Sequence, residues 1–319
     1  MRRTAICLAA LLSAATPTLA ATDFPTRPLR IVIGFGPGST ADVLARIVGQ
    51  RLTKTLGQQI VVENRPGAGS MIAAEFVSRS PADGYTLFMA TVANTINPTL
   101  SANATFNLGR DMAPVALVGV IPNVLVAHPS VKAGNVAGLV ALAKSSPQSL
   151  FFASAGSGTA GHLSAELFNE RVGVKITHVF YSGSAQAASD LLTGRVNLMF
   201  TVASTMLPMI NEGKLRALAV AQSKRSGVLP NVPTMAEAGM AGFDASIWVG
   251  LLAPPGTDKE IVDKLAGAIN EALTAEEVLA PMRAQGFDAL GGSAADFARF
   301  IAADIKKWEQ VVAAAGLKK

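Results

Sequence analysis

Short, largely apolar runs at 29–35, 60–64 and 85–90 read as strands buried on both faces. Between them, 43–56 and 71–80 carry apolar residues at three- and four-residue spacing, the pattern of helices that bury one side. The turn signals Pro66-Gly67-Ala68-Gly69 and Pro81-Ala82-Asp83-Gly84 separate these segments. The same alternation resumes beyond residue 123. Strands are expected at 124–127, 150–153, 176–180, 196–200 and 215–221, and helices at 136–143, 163–172, 185–192 and 207–211. The pattern predicts an α/β fold of mostly parallel sheets flanked by helices.

Two breaks divide the chain. Apolar runs at 115–120 and 124–127 are split by Ile121-Pro122-Asn123, which reads as a crossing into a second unit. A stretch rich in proline and glycine, 230–242, precedes a strand at 247–253 that reads as a return to the first unit. Helices at 259–273, 276–285 and 294–314 finish the chain. The expected organisation is a two-lobed clamshell, with lobe 1 formed by 21–122 plus 245–319 and lobe 2 by 123–244. Residues 1–20 read as a secretory signal: Arg2 and Arg3 are its basic start, 5–12 its apolar middle, and Thr18-Leu19-Ala20 a small-x-small cleavage site. Cleavage after Ala20 removes Cys7, the single cysteine, so no disulfide or cysteine metal site is expected in the exported product.

The net charge of +5 falls to +3 once Arg2 and Arg3 leave with the signal. No basic run or aromatic-basic stripe points to nucleic acid. The candidate chemistry lies in two loops of one kind. Gly36-Pro37-Gly38-Ser39-Thr40-Ala41-Asp42 follows the first strand, and Ser154-Ala155-Gly156-Ser157-Gly158-Thr159-Ala160-Gly161-His162 follows the strand at 150–153. Glycines bring the backbone close to a guest, and free N–H groups at a helix start favour an anion. Both loops stand at the carboxyl ends of strands, where open α/β sheets bind ligands, so one small acidic ligand gripped from two sides is expected.

Other chemistries fit less well. Gly156, Gly158 and Gly161 match the G-x-G-x-x-G pattern of a dinucleotide site, but Phe180-Tyr181-Ser182-Gly183 stands where its acidic residue would be. Ser157 with His162 would be the nucleophile and base of a hydrolase, yet no G-x-S-x-G or S-x-x-K motif occurs. His162, at a helix start, reads as a neutral donor or packing residue. Asp42 reads either as facing the ligand or as organising the loop amides. No set of His, Cys, Asp and Glu has metal-ligand spacing, so neither a metal nor a cofactor is expected.

The chain also resembles the Bug (TctC-like) solute receptors of tripartite tricarboxylate transporters. The resemblance rests on Arg27-Pro28-Leu29-Arg30-Ile31-Val32-Ile33 leading into Gly38-Ser39-Thr40-Ala41-Asp42, and on 61–69, 82–87, Ile96-Asn97-Pro98 and Ser157-Gly158-Thr159 with His162-Leu163. Asp190-Leu191-Leu192-Thr193-Gly194, 214–220, Val232-Pro233-Thr234 and 250–254 continue it in order. It implies a monomeric periplasmic binding protein, not an enzyme, that closes on a small carboxylate and is read by integral-membrane permease subunits; the runner-up role is a periplasmic sensor. The implied ligand residues are Phe35, Ser39, Thr40, Asp42, Asn94, Ser157, Thr159, His162, Tyr181, Ser182 and Thr201. Three departures from the family pattern stand out: Ser39 and Ala41 in a loop that usually reads Gly-Gly-Ser-Thr-Asp, Ser182 where a lysine is common, and Thr201 where an aspartate is common. Loss of both charged groups implies a less polar far end of the ligand.

Overall fold

The computed structural model describes residues 24–101, 105–181 and 183–318. The expected signal segment 1–20, with Cys7, and the candidate Ser182 lie outside the described residues. The elements run β1 (Leu29–Ile33), α1 (Thr40–Leu56), β2 (Ile60–Asn64), α2 (Met71–Ser78), β3 (Thr86–Thr91), α3 (Ala93–Leu100), α4 (Leu108–Asp111) and β4 (Ala113–Ile121). Next come β5 (Asn123–Ala127), α5 (Val136–Ser145), β6 (Phe151–Ser154), α6 (Ala160–Val172), β7 (Thr177–Phe180), α7 (Ser184–Leu192), β8 (Leu198–Val202), α8 (Ala203–Asn211) and β9 (Arg216–Val220). The chain ends with β10 (Ile247–Ala253), α9 (Lys259–Ala272), α10 (Glu276–Ala284), β11 (Asp288–Ala289) and α11 (Ala294–Ala314).

Two sheets result. The first has the order β11-β4-β10-β3-β1-β2 and the second β7-β6-β8-β5-β9. In each sheet most strands point one way: β10 and β11 run against the rest of the first, and β5 against the rest of the second. This is the α/β, two-lobed periplasmic-binding-protein fold. Only Pro122 separates β4 from β5. A proline has no N–H for a ladder, which suits it to the point where the chain leaves one sheet for the other. Its carbonyl still accepts from Ala203 N at 2.8 Å.

Several features differ from the expected pattern, the short α4 and the start of α8 at Ala203 rather than 207 among them. Residues 93–100, for which no helix is expected, form α3 with Pro98 inside it; their buried face includes Asn94, Thr95 and Thr99 and so lacks apolar helical spacing. Helices α1 and α6 begin at Thr40 and Ala160, three residues earlier than their apolar periodicity indicates, because Ser39 and Thr159 cap them. The two-residue β11 has no hydrophobic signature at all.

Helix α11 ties the lobes together. It packs on α3 and β4 of the first lobe and on α6 of the second. Its Phe297, Ile301, Trp308 and Val311 belong to an apolar cluster that runs from Phe88 in the first sheet to Phe152 and Phe200 in the second. The buried Asp304 fixes its position: the carboxylate accepts from Trp248 Nε1 at 2.9 Å and Thr95 Oγ1 at 2.6 Å, and pairs with Lys307 Nζ at 2.6 Å. Asp304→Ala strands the indole N–H in an apolar setting, a loss of about 1–3 kcal/mol. A urea titration is expected to show a lower midpoint at unchanged slope.

Candidate functional site

The loops after β1 and β6 are built alike, at a spacing of 120 residues: Gly36 matches Gly156, Gly38 matches Gly158, Ser39 matches Thr159, and Asp42 matches His162. Gly38 and Gly158 have φ of 78° and 76°, the left-handed region where only glycine is unstrained. Each is followed by an N-cap in extended conformation. Ser39 Oγ accepts from Asp42 N, and Thr159 Oγ1 from His162 N, both at 3.4 Å. In each loop the left-handed glycine then donates its N–H to the side chain four residues on: Gly38 N to Asp42 Oδ2 at 2.9 Å, and Gly158 N to His162 Nδ1 at 3.0 Å.

The amide inventory of the two loops is the same. The capping residues' own N–H groups go to Gly36 O and Gly156 O. The third helical N–H goes to the cap side chain. What remains is the first-turn pair that no carbonyl of its helix can reach: Thr40 and Ala41 in α1, and Ala160 and Gly161 in α6. Both pairs sit at the positive end of a helix dipole. Each loop is therefore a cradle with two amides for an anion.

The clamps differ in charge. Asp42 is buried and receives Arg46 through both oxygens and Asn64 Nδ2 at 3.0 Å. Arg46, then the Gly38 N–H and Asn64, hold its carboxyl down to about 2 against the opposing effect of burial. Asn64 Nδ2 also reaches Phe35 O at 3.0 Å, tying β2 to the loop. His162 is buried, which pushes it down to about 4 and keeps it neutral. Burial, and then the neighbouring His162, push His178 down to about 3. With Nδ1 accepting from Gly158, the proton of His162 lies on Nε2, 3.8 Å from Glu166 Oε1. His178 Nε2 lies 2.8 Å from Ser154 Oγ, at the foot of the same cradle.

The sequence-stated candidates thus take different places. Thr40 is exposed at the head of α1, and Ser157 is exposed on its loop. Ser39 and Thr159 both cap their helices through a hydroxyl lone pair, and Thr159 also gives its proton to Gly156 O at 2.8 Å. Asp42 organises the loop. Thr201 is buried in β8, next to the Phe200 carbonyl that an added Cβ on Gly161 would approach to 2.7 Å. The third glycine of the dinucleotide-like pattern is therefore a helix-to-strand contact. Two candidates point elsewhere. Tyr181 Oη donates to Asp190 on α7 at 2.9 Å. Asn94 is fully buried, accepts from Thr91 N at 3.0 Å, and borders a cavity of about 430 Å³ between α3 and α11. Gly158 lies against Leu100, the last residue of α3, so the second cradle abuts the first lobe.

Arg46, Asn64 and Ser70 were not singled out from the sequence. Ser70 stands over Gly34 at the end of β1, with φ of 78°, and its buried hydroxyl meets no partner among the described residues. The signal was local: a serine next to Gly67-Ala68-Gly69, in a loop that needs left-handed residues. Among the described residues, His162, Glu166 and His178 are the one group of three side chains placed to hold a metal ion.

Two outcomes follow. Ser70→Gly relieves the left-handed strain and removes the unpaired hydroxyl, for a gain of about 1 kcal/mol in thermal or chemical melts. Asp42→Asn removes a carboxylate whose pKa is depressed on folding, so its contribution is present above the unfolded value near 4 and is lost as pH falls toward about 2. The gap between wild type and Asp42→Asn is at most about 2 kcal/mol, reduced by screening because Arg46 is half exposed. It is expected to stay constant from pH 7 to 5 and to close between pH 4 and 2.

Comparison with known proteins places these features in a family. Residues 44–317 match the tripartite tricarboxylate transporter family receptor, TctC. Protein BugT of Bordetella pertussis is 38% identical over 302 residues, covering 94% of this chain and 93% of its own. Among solved structures, R. palustris Rpa4515 with adipate is 37% identical, covers 92% of this chain and 99% of its own, and superposes with a TM-score of 0.73. A TctC solute-binding protein from Polaromonas, solved with no ligand, is 26% identical, covers 91% and 99%, and superposes with a TM-score of 0.83. With the match spanning the second cradle and every strand but the first, the chain belongs to the TctC family of tripartite tricarboxylate transporter receptors.

Proposed function

We propose that this protein is exported to the periplasm, captures a small carboxylate between its two cradles, and presents the closed form to the permease subunits of a tripartite carrier. The matched pair of cradles carries this reading: each lobe contributes two unpartnered helix-start amides and one dipole. The hinge consists of the two crossings, at Pro122 and between β9 and β10. A charge-assisted hydrogen bond contributes about 1.5–3 kcal/mol. Three or four of them approach the roughly −8 kcal/mol of a micromolar complex once ordering costs are subtracted. Arg46 is already paired with Asp42, so the amides rather than a side-chain cation supply the attraction.

Small dicarboxylates are the leading ligand class, since Rpa4515 was solved with adipate. The better superposition on the unliganded Polaromonas relative, despite its lower identity, supports an open arrangement of the lobes here. Ligand then drives closure because only the closed form engages both cradles. The hydrolase alternative is disfavoured: the Nδ1 lone pair of His162 is engaged by Gly158 N–H, which leaves that nitrogen no capacity to activate Ser157.

Proline at the first helical position removes a single amide without breaking the helix. The preceding caps have ψ of 158° and 159°, which a following proline accepts. Thr40→Pro and Ala160→Pro are each expected to weaken adipate binding by about 10-fold or more in calorimetry. Thr40→Ala keeps the amide and most of the affinity. Wild-type affinity in both proline variants would overturn the two-cradle reading.

A further inference from the structure

Beside the second cradle, and sharing its clamp His162, lies a cluster whose other members, Glu166 and His178, carboxylate binding leaves unused. His162 and Glu166 are one turn apart on α6, and β7 brings His178 against them. One ligand atom from each lies within 4.8 Å of the others, although no metal-ligand spacing is visible in the sequence. The two imidazole rings meet edge to face, 4.6 Å between centres. Phe180 stacks on His178 at 4.6 Å and covers His162 edge-on at 5.0 Å, making an apolar wall on one side. Glu166 is partly exposed, which gives an entry path.

The hydrogen bonds are all met with one assignment of protons: Ser154 Oγ donates to Gly156 O at 3.2 Å and accepts from Gly156 N at 3.4 Å and from His178 Nε2–H at 2.8 Å. The lone pair of His178 is then on Nδ1, which is buried and has no partner among the described residues. A histidine whose outer N–H is held by a hydroxyl while its other nitrogen is free has the polarity of a metal ligand. Glu166 adds a carboxylate oxygen. His162 has the opposite polarity: its Nδ1 accepts from Gly158, so Nε2 carries a proton and cannot bind a cation as it stands.

We infer that His178, Glu166 and His162 form a site for one zinc-class divalent ion, and that filling it disassembles the second carboxylate cradle. Two imidazoles and one carboxylate are a three-ligand zinc set with a fourth position open. Ligand atoms around tetrahedral zinc are about 3.3 Å apart, so the side chains must draw in by up to roughly 1.5 Å. Coordination through His162 Nε2 moves its proton to Nδ1. That N–H then faces the Gly158 N–H, donor against donor, and the clamp on the glycine opens. Metal and carboxylate therefore oppose each other, and the opposition is reciprocal.

This inference rests on the proposed carboxylate site for its second half only, and the tests separate the two. Titration of the purified, metal-free protein with Co²⁺ is expected to give the visible absorption of a four-coordinate site at one equivalent, displaced by Zn²⁺. The band is expected to be lost in His178→Gln and in Glu166→Gln. Calorimetry with adipate is then expected to show about 10-fold weaker binding in saturating Zn²⁺, with the effect abolished in Glu166→Gln. No stoichiometric Co²⁺ band in the folded wild type, or a band unaltered in both variants, would overturn the site. A normal band with adipate affinity indifferent to zinc would overturn the coupling. Failure of adipate and other carboxylates to bind metal-free protein would count against the carboxylate reading while the cobalt titration still decides the site.

Discussion

The loop-to-helix clamp, in which a left-handed glycine donates its N–H to a side chain one turn into the following helix, is the interaction on which the site depends. It appears in each lobe, as Gly38 with Asp42 and Gly158 with His162. Without it the glycine amide would be free to turn, and the loop would not hold the next two amides in a fixed direction. The clamp also decides which donors are available. It removes the glycine N–H and leaves the helix-start pair, which in the proposed function directs the anion onto the axis of the helix dipole.

The two clamps solve one geometric problem with different charges. An aspartate is compatible with an anion site only because Arg46 and Asn64 neutralise and hold it. In the second lobe a neutral imidazole does the same task with no counter-ion, and burial keeps it neutral. The pair therefore adds little net charge to the cleft. In the proposed function, attraction for a carboxylate then comes from aligned backbone dipoles. The buried Asp304 network and the apolar cluster around α11 join the two lobes on the side of that helix.

Much of the fold was legible because its signals are local. Continuous apolar runs identified the strands, and the chain passes between the two sheets at Pro122 and again between β9 and β10. The positions of both glycine loops were equally plain. The roles within them were not. Ser39 and Thr159 read as ligand hydroxyls because a sequence does not distinguish a capping hydroxyl from a free one; only the bond to the third helical N–H does. The equivalence of Asp42 and His162 was hidden because unlike chemistries fill the same slot. Tyr181 and Asn94 stand close in sequence to a site strand but turn toward Asp190 and the α3–α11 cavity, which depends on partners far along the chain. The His162, Glu166 and His178 grouping needs the pairing of β6 with β7, which no spacing announces.

The central claim is that the first-turn amides, and not the clamped glycines, grip the carboxylate. Amide chemical shifts during titration of the isotopically labelled protein with adipate test it directly. The account predicts large downfield proton shifts at Thr40, Ala41, Ala160 and Gly161, with Gly38 and Gly158 changing least because their protons are already bonded. Dominant shifts at the two glycines, or at residues lining the cavity between α3 and α11 with the helix starts unmoved, would contradict it.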